Sequence, residues 1–234
     1  MSFLRHKGFS PAGSAMFVNT LSAMRCTHGQ TMKCTDQVVQ DNHKRYIERI
    51  DFYKKHGYDL LGERKAILQK ILPLNNPILE IGTGKGHLAL ILAQYGYRFT
   101  TIDIMPEDQQ IARMNLAYYN VYDHAEYMIQ NAEHLAFDDH AFKTILCVNV
   151  VHHLDRPFSV YKEMLRVCAP GGRIILSDMN DKGFSVINYC HSLEGRTHDR
   201  PHHQMSDAEE FFVAHRLKTE PMITDCQYTI MVHT

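Results

Sequence analysis

Between Ile81 and His87 the chain reads Gly82-Thr83-Gly84-Lys85-Gly86, with an acid, Glu80, two residues ahead of the first glycine. Apolar residues precede this stretch and a helix-like apolar pattern follows it, so the glycines are expected at a strand-to-helix turn. Glycine has no Cβ and tolerates positive φ, which lets the backbone come close to a ligand, and the start of a helix favours an anion there. In an open parallel sheet the ligand crevice lies beyond the strand C-termini, where these glycines fall. Asp103 ends the next strand-like segment, 21 residues after Gly82, placed for its carboxylate to accept bonds from both hydroxyls of a ribose. A pocket for an adenosine-containing ligand follows. The glycine spacing is not the G-x-G-x-x-G of dinucleotide binders, and no G-x-x-x-x-G-K-[ST] loop for nucleoside phosphates occurs.

The elements that must position these residues alternate strand-like and helix-like along the chain, the sign of a parallel sheet covered by helices. "NPILEIG" reads as the first strand, followed by a helix with Leu88, Ile91 and Leu92 on one face and Gly96 as its stop. "YRFTTID" is the second strand, and "MPEDQQIARMNLAYYN" a helix with Pro106 and two acids in its first turn. "AEYMIQ" is a weaker third strand, "FKTILCVNVV" (142–151) a strong central one, and "RIILSDM" a fifth after a helix stopped by Pro170, Gly171 and Gly172. "SDAE" at 206–209 reads as a capping box before a helix through Phe211, Phe212 and His215, and "QYTIMVHT" as the last strand. The expected fold is α/β: a Rossmann-like, mostly parallel sheet of about seven strands, helices on both faces, the last strand antiparallel.

Composition narrows the function classes. The 234 residues are 44% hydrophobic, which suits one domain plus an extension, here divided as 1–45 and 46–234. Lys and Arg total 25 against 26 Asp and Glu, so no overall basic field points to nucleic acid or an anionic membrane. No stretch approaches the roughly 18 to 20 apolar residues that span a bilayer, and the start lacks a long apolar core, so a cytoplasmic protein is expected. The six cysteines form no C-x-x-C pair and are expected as free thiols.

At five places the sequence resembles the class I S-adenosylmethionine-dependent methyltransferases, in particular their small-molecule, UbiE-like branch: "ILEIGTGKG", "TTIDIMP", "NAEHLAF", "VNVVHHLDRP" and "LRVCAPGGRIILSD", in that order, across roughly Leu72 to Asp178. The resemblance implies S-adenosyl-L-methionine as cofactor, with Glu80, Gly82, Thr83, Gly84 and Gly86 at its methionine end, Asp103 on the ribose and Ile104 on the adenine face. Asn131 and Ala132 would meet the adenine edge, and the backbone at Asn149 would receive the cofactor's amino group. The family often has Asp where this chain has Asn131. An Asn carbonyl oxygen also accepts from an exocyclic amine, without charge assistance.

Methyl transfer by in-line displacement at a sulfonium needs alignment and exclusion of water, and an O, S or C acceptor must also lose a proton. His152 and His153, after the fourth strand, are the candidate bases, since imidazole titrates near neutrality. The alternative for either is a turn cap or a wall of the pocket. The acceptor is expected to be a small molecule. Base-amine methylation calls for an Asn/Asp-Pro-Pro-aromatic stretch where this chain has Val148-Asn149-Val150-Val151-His152, and Cys147, inside a buried strand, reads as an inert thiol rather than a nucleophile.

Substrate choice is expected from two regions: the helical segment 45–71, where Tyr46, Phe52, Tyr53 and Tyr58 either line a lid or pack, and the histidine-rich segment 188–204. His191, His198, His202 and His203 there, and Cys26, His28 and Cys34 near the start, are possible metal ligands by type, but their spacings match no zinc motif and no metal is expected. Two other readings stand beside the enzyme: a protein that holds S-adenosylmethionine or its product without chemistry, and a dinucleotide oxidoreductase, which the glycine spacing disfavours.

Overall fold

Alternate residues of the central strands enter two different cores, and this builds the layers. In the computed structural model, which describes residues 33, 35–196 and 204–234, strands β1 (Ile78–Ile81), β2 (Phe99–Asp103), β3 (Ala125–Ile129), β4 (Phe142–Val148), β5 (Cys168–Met179), β6 (Lys218–Ile223) and β7 (Gln227–His233) form one sheet in the order β3-β2-β1-β4-β5-β7-β6. Ile145 and Cys147 of β4, with Ile174 and Leu176 of β5, pack on one face against helices α5 (Pro157–Val167) and α7 (Met205–Ala214). Leu146, Val148 and Ile175, one residue out of phase, pack on the other against α1 (Gln37–Lys55), α2 (Leu60–Ile71), α3 (His87–Gln94) and Leu116 of α4 (Pro106–Tyr118). Both faces are covered, so these strands read as continuous apolar runs. Helix α6 (Asp181–Leu193) joins Tyr53, Tyr58 and Leu60 in a smaller cluster beside the main cores.

Strands β1 to β5 pair in parallel, and β7 lies antiparallel between β5 and β6, which is the expected mixed sheet. Pro106 sits in the first turn of α4 with Glu107 and Asp108, as read from the sequence. Helix α1 continues on both sides of residue 45, the expected domain boundary.

Three boundaries differ from expectation. Strand β4 ends at Val148 rather than 151, because Asn149 turns into the left-handed region (φ 59°) and Val151–His153 form a 3-10 turn. Strand β5 starts at Cys168, directly after α5. Residues through Gly172 belong to it, and the pairing with β4 jumps from Cys168 to Arg173, leaving Pro170 and Gly171 exposed. Helix α7 starts at Met205, one register before the expected capping box. Burial of Met205, Ala208 and Phe212 sets its face, the Asp207 carboxylate accepts from the Gln204 amide, and His215 falls just past its end.

Candidate active site

The C-terminal ends of β1, β2, β4 and β5 converge on one edge of the sheet. After β1 the amides of Gly82 and Thr83 both donate to the carbonyl of Ile102 on β2, at 2.9 and 3.0 Å, which folds the glycine turn back over the neighbouring strand. Two of its glycines are needed for packing. A Cβ on Gly82 would lie 2.3 Å from Val150, and one on Gly86, at φ +79°, would lie 2.8 Å from the Ala112 methyl of α4. Gly84 differs: nothing lies within 4 Å of the space its Cβ would fill, so the middle of the turn faces open volume. Its amide donates to Asp103 Oδ2 at 2.7 Å, while Asp103 Oδ1 accepts from the Met105 amide at 2.8 Å. The Asp103 carboxylate is thereby fixed beside the glycines, and each oxygen keeps further acceptor capacity.

Beneath the turn runs a line of side chains that the sequence did not signal. Gln109 of α4 donates to Thr83 Oγ1 at 3.2 Å and to the Met128 carbonyl at 3.0 Å. The hydroxyls of Thr83 and Thr101 are 2.7 Å apart, and Thr101 donates to Glu80 Oε2 at 2.6 Å. Glu80, only 2% exposed, is therefore directed at its cross-strand partner Thr101 instead of lining the cavity described below. Burial pushes its carboxyl up to about 8 against the opposing bond from Thr101. Gln109 falls on the same helical face as Ala112 and Asn115, all three buried. That spacing was the one available sign that it points inward.

Past Asp103, Ile104 is 57% exposed, and Met105 and Ile129 are also exposed apolar side chains. Asn131 Oδ1 accepts from the Glu133 amide at 2.9 Å, and Ala132 is partly buried against the core. Ile104 and Asn131 thus follow the ends of adjacent strands β2 and β3.

At the end of β4, Asn149 is held in its left-handed conformation by its amide, which donates to Ser177 on β5 at 2.8 Å, and by its side-chain amide, which donates to the Tyr58 hydroxyl at 3.0 Å. Its Oδ1 is buried and accepts no hydrogen bond among the described residues. The following turn carries His152 and His153, whose rings lie 3.9 Å apart. They are not equivalent. His152 is 5% exposed at its side chain, and its Nδ1 lies 2.7 Å from Oδ1 of Asp178, itself 3% exposed at the end of β5. The His152 amide donates to Asp178 Oδ2 at 2.9 Å and the Met179 amide to Oδ1 at 2.8 Å, so the carboxylate is held from both sides. His153 is exposed. Asp178 lay inside a motif noted in the sequence, but nothing there tied it to His152.

These ends open on a cavity of about 430 Å³. Asn149, His152, His153 and Met179 form the wall on the sheet side, Lys85 and His87 the glycine-turn side, and Arg49, Tyr53, Tyr58 and Leu60 the wall from α1 and the start of α2. Ile187 and His191 of α6 and Arg196 just past it close the cavity. Tyr46, Tyr53 and Tyr58 are buried packing residues, and Tyr53 and Tyr58 also line the cavity. His87 stacks on Tyr46 at 5.2 Å, and burial holds its imidazole well below the usual range, hence neutral. Cys147 is fully buried and its thiol is pushed up by burial, which makes it inert.

Cys26, His28, Cys34, His198, His202 and His203 lie outside the described residues. Among the described ones Glu63, Asp225 and Cys226 converge to within 4.8 Å. Both Glu63 oxygens are engaged there, by the Cys226 amide and the Thr224 hydroxyl.

Residues 79–176 match the family described as a methyltransferase domain. These residues form a class I S-adenosylmethionine-dependent methyltransferase domain. A ubiquinone biosynthesis O-methyltransferase of Xanthomonas oryzae pv. oryzae is 30% identical over 104 residues, 44% of this chain and 43% of that protein. The chain thus matches less than half the length of that curated relative. The fold is shared with the PH0226 protein from Pyrococcus horikoshii (TM-score 0.60, 17% identity, covering 88% of this chain and 96% of that one). A SAM-dependent methyltransferase from Aquifex aeolicus shares it as well (TM-score 0.58, 14% identity, 73% and 88%).

S-adenosylmethionine is the cofactor of this family, and the site fits it on three observations: the open volume at Gly84, the unsatisfied acceptor Asn149 Oδ1, and exposed apolar side chains beside a fixed Asp103. No helix among the described residues is long and apolar enough to cross a membrane.

Proposed function

We propose that the protein transfers a methyl group from S-adenosylmethionine to a hydroxyl oxygen of a small molecule, with His152 as the base. The single observation that carries this reading is His152, backed by Asp178, on the wall of the same cavity as Asn149 and Lys85 of the glycine turn. When bound, S-adenosylmethionine supplies an electrophilic methyl on a positively charged sulfur. The residues of the chain do the remainder. Asp103 accepts from the ribose hydroxyls, Ile104 covers the adenine, and Asn131 and Ala132 meet its edge. Gly82, Thr83, Gly84 and Gly86 bring backbone close to the methionine end, and Asn149 Oδ1, already lacking a donor, accepts from the ammonium group.

Asp178 holds the Nδ1 side of His152, which directs the other ring nitrogen to receive the acceptor's proton. His153 forms part of the wall. The O-methyltransferase name of the Xanthomonas relative supports oxygen as the acceptor atom.

The test is transfer of labelled methyl into a pool of small metabolites, with wild type and His152→Ala compared. Turnover of the variant should fall roughly 10²- to 10⁴-fold while S-adenosylhomocysteine affinity stays nearly constant. Tight S-adenosylhomocysteine binding with no methyl transfer into any metabolite fraction would instead identify a binding protein without catalysis.

A further inference from the structure

Positive charge dominates the cavity wall. Arg49, Lys85 and Arg196 line it with the imidazoles of His87, His152, His153 and His191, and no carboxylate lines it among the described residues. Arg49, from α1, and Arg196, just past α6, share one counter-ion: Glu194 offers Oε1 to Arg49 and Oε2 to Arg196. Lys85 forms no ion pair among the described residues. Glu194 is the one carboxylate paired with these cations and Asp108 acts on Lys85 only from outside the wall, so positive charge stays in excess around a partly enclosed volume, where water screens it less than on an open surface.

The cofactor cannot supply the balance. S-adenosylmethionine carries one carboxylate, one ammonium and one sulfonium, so its binding adds a net positive charge to the same space. An acceptor bearing a negative charge would relieve both.

The arginines are also arranged for such a group. The Arg49 guanidinium lies 4.5 Å from the centre of the Tyr53 ring and donates to the Tyr53 hydroxyl as well as to Glu194. Stacking and two anchors fix its plane, yet a guanidinium has five N–H donors, and these contacts leave others for a ligand. Its fork matches the two oxygens of a carboxylate or phosphate.

We infer that the methyl acceptor is an oxyanion-bearing small molecule, a carboxylic acid or a phosphate monoester, whose anionic group is held by Arg49 and Arg196 at the α1–α6 wall while its hydroxyl faces His152. This rests on the methyl-transfer reading for the role of His152, but the anion site stands on the charge and geometry of the wall and can be tested without turnover.

The full chain, saturated with S-adenosylhomocysteine, is titrated calorimetrically with benzoate, phenyl phosphate and the uncharged benzamide. At least one anion should bind about tenfold or more tightly than benzamide, and Arg49→Gln and Arg196→Gln should each weaken it by about tenfold, the loss of a charge-assisted hydrogen bond. S-adenosylhomocysteine affinity should change less than about twofold, and Arg49→Lys, which keeps the charge without the fork, should retain part of the binding. Preference between benzoate and phenyl phosphate distinguishes the two oxyanion classes. The inference is overturned by no anion binding up to about 10 mM, by benzamide binding as well as the anions, or by wild-type anion affinity in folded Gln variants. If the anions bind as expected but no hydroxybenzoate or hydroxyphenyl phosphate accepts labelled methyl, the catalytic reading fails and the anion site remains.

Discussion

Two adjacent histidines follow β4, and a single carboxylate separates their roles. Asp178 accepts from the backbone on both sides of the site and faces Nδ1 of His152, whereas the exposed ring of His153 lies tilted beside its neighbour. With His152 as the proposed base, Asp178 would act through it as a positioning residue. Asp178→Asn should lower kcat roughly 10- to 100-fold, the usual loss when the group orienting a working histidine is removed. The KM for S-adenosylmethionine and the S-adenosylhomocysteine affinity should stay within about twofold. A residue with only a structural role would move affinity and melting temperature together and leave no separate loss in kcat. The sequence made the histidines legible by type and place, but not the choice between them. That choice depends on the ends of β4 and β5 lying side by side, a fact of sheet order that no local pattern carries. Asn149 was legible as a backbone contact, while its orphaned Oδ1 became visible only once Tyr58 was seen to occupy the amide nitrogen.

At the scale of elements, the glycine turn is braced from below by Gln109, Thr83, Thr101 and Glu80, which tie α4, β1 and β2 together. The apolar runs of the strands and the proline and acids opening α4 were readable because periodicity and caps are local. The brace was not, since buried polar partners on three elements leave no periodic trace.

Its acid end gives a pH dependence of known sign. Burial holds the Glu80 carboxyl protonated up to about 8, above its ordinary 4.5. The folded chain therefore keeps a proton that the unfolded chain has released. This contribution to stability is fully present below pH 4.5 and is lost as pH rises through about 8. Glu80→Gln places an uncharged amide there, still able to accept from Thr101. Thermal melts of the ligand-free protein should fall less steeply between about pH 5 and 8 in the variant than in wild type. Parallel curves would mean that Glu80 is not the group titrating.

Across the whole molecule, Tyr58 is the tie between distant parts. Fully buried, its hydroxyl accepts from Asn149 Nδ2 at 3.0 Å and from Gln227 Nε2 at 2.7 Å, linking the segment after α1 to the ends of β4 and β7. Tyr58→Phe removes one acceptor from two donors and should cost about 1 to 3 kcal/mol in urea unfolding, with weaker S-adenosylhomocysteine binding as Asn149 loosens. An unchanged midpoint would assign those donors other partners. The α/β arrangement, a sheet with helices on both faces, was legible from alternation along the chain. The long-range tie was not, because the paired positions are 91 and 169 residues apart.

The order of the sheet also bears on how the chain is made. Strand β7 lies between β5 and β6, although it is translated after both. When the ribosome has completed β6, that strand has no partner in the sheet, and β5, nearly all buried in the finished fold, presents an open edge. Both conditions end only when residues 227–233 emerge and insert. A nascent chain paused upstream of Gln227 therefore exposes an apolar strand able to pair with other chains. The same pause withholds Gln227 from Tyr58, so the Tyr58 hydroxyl gains its second donor only when β7 enters the sheet.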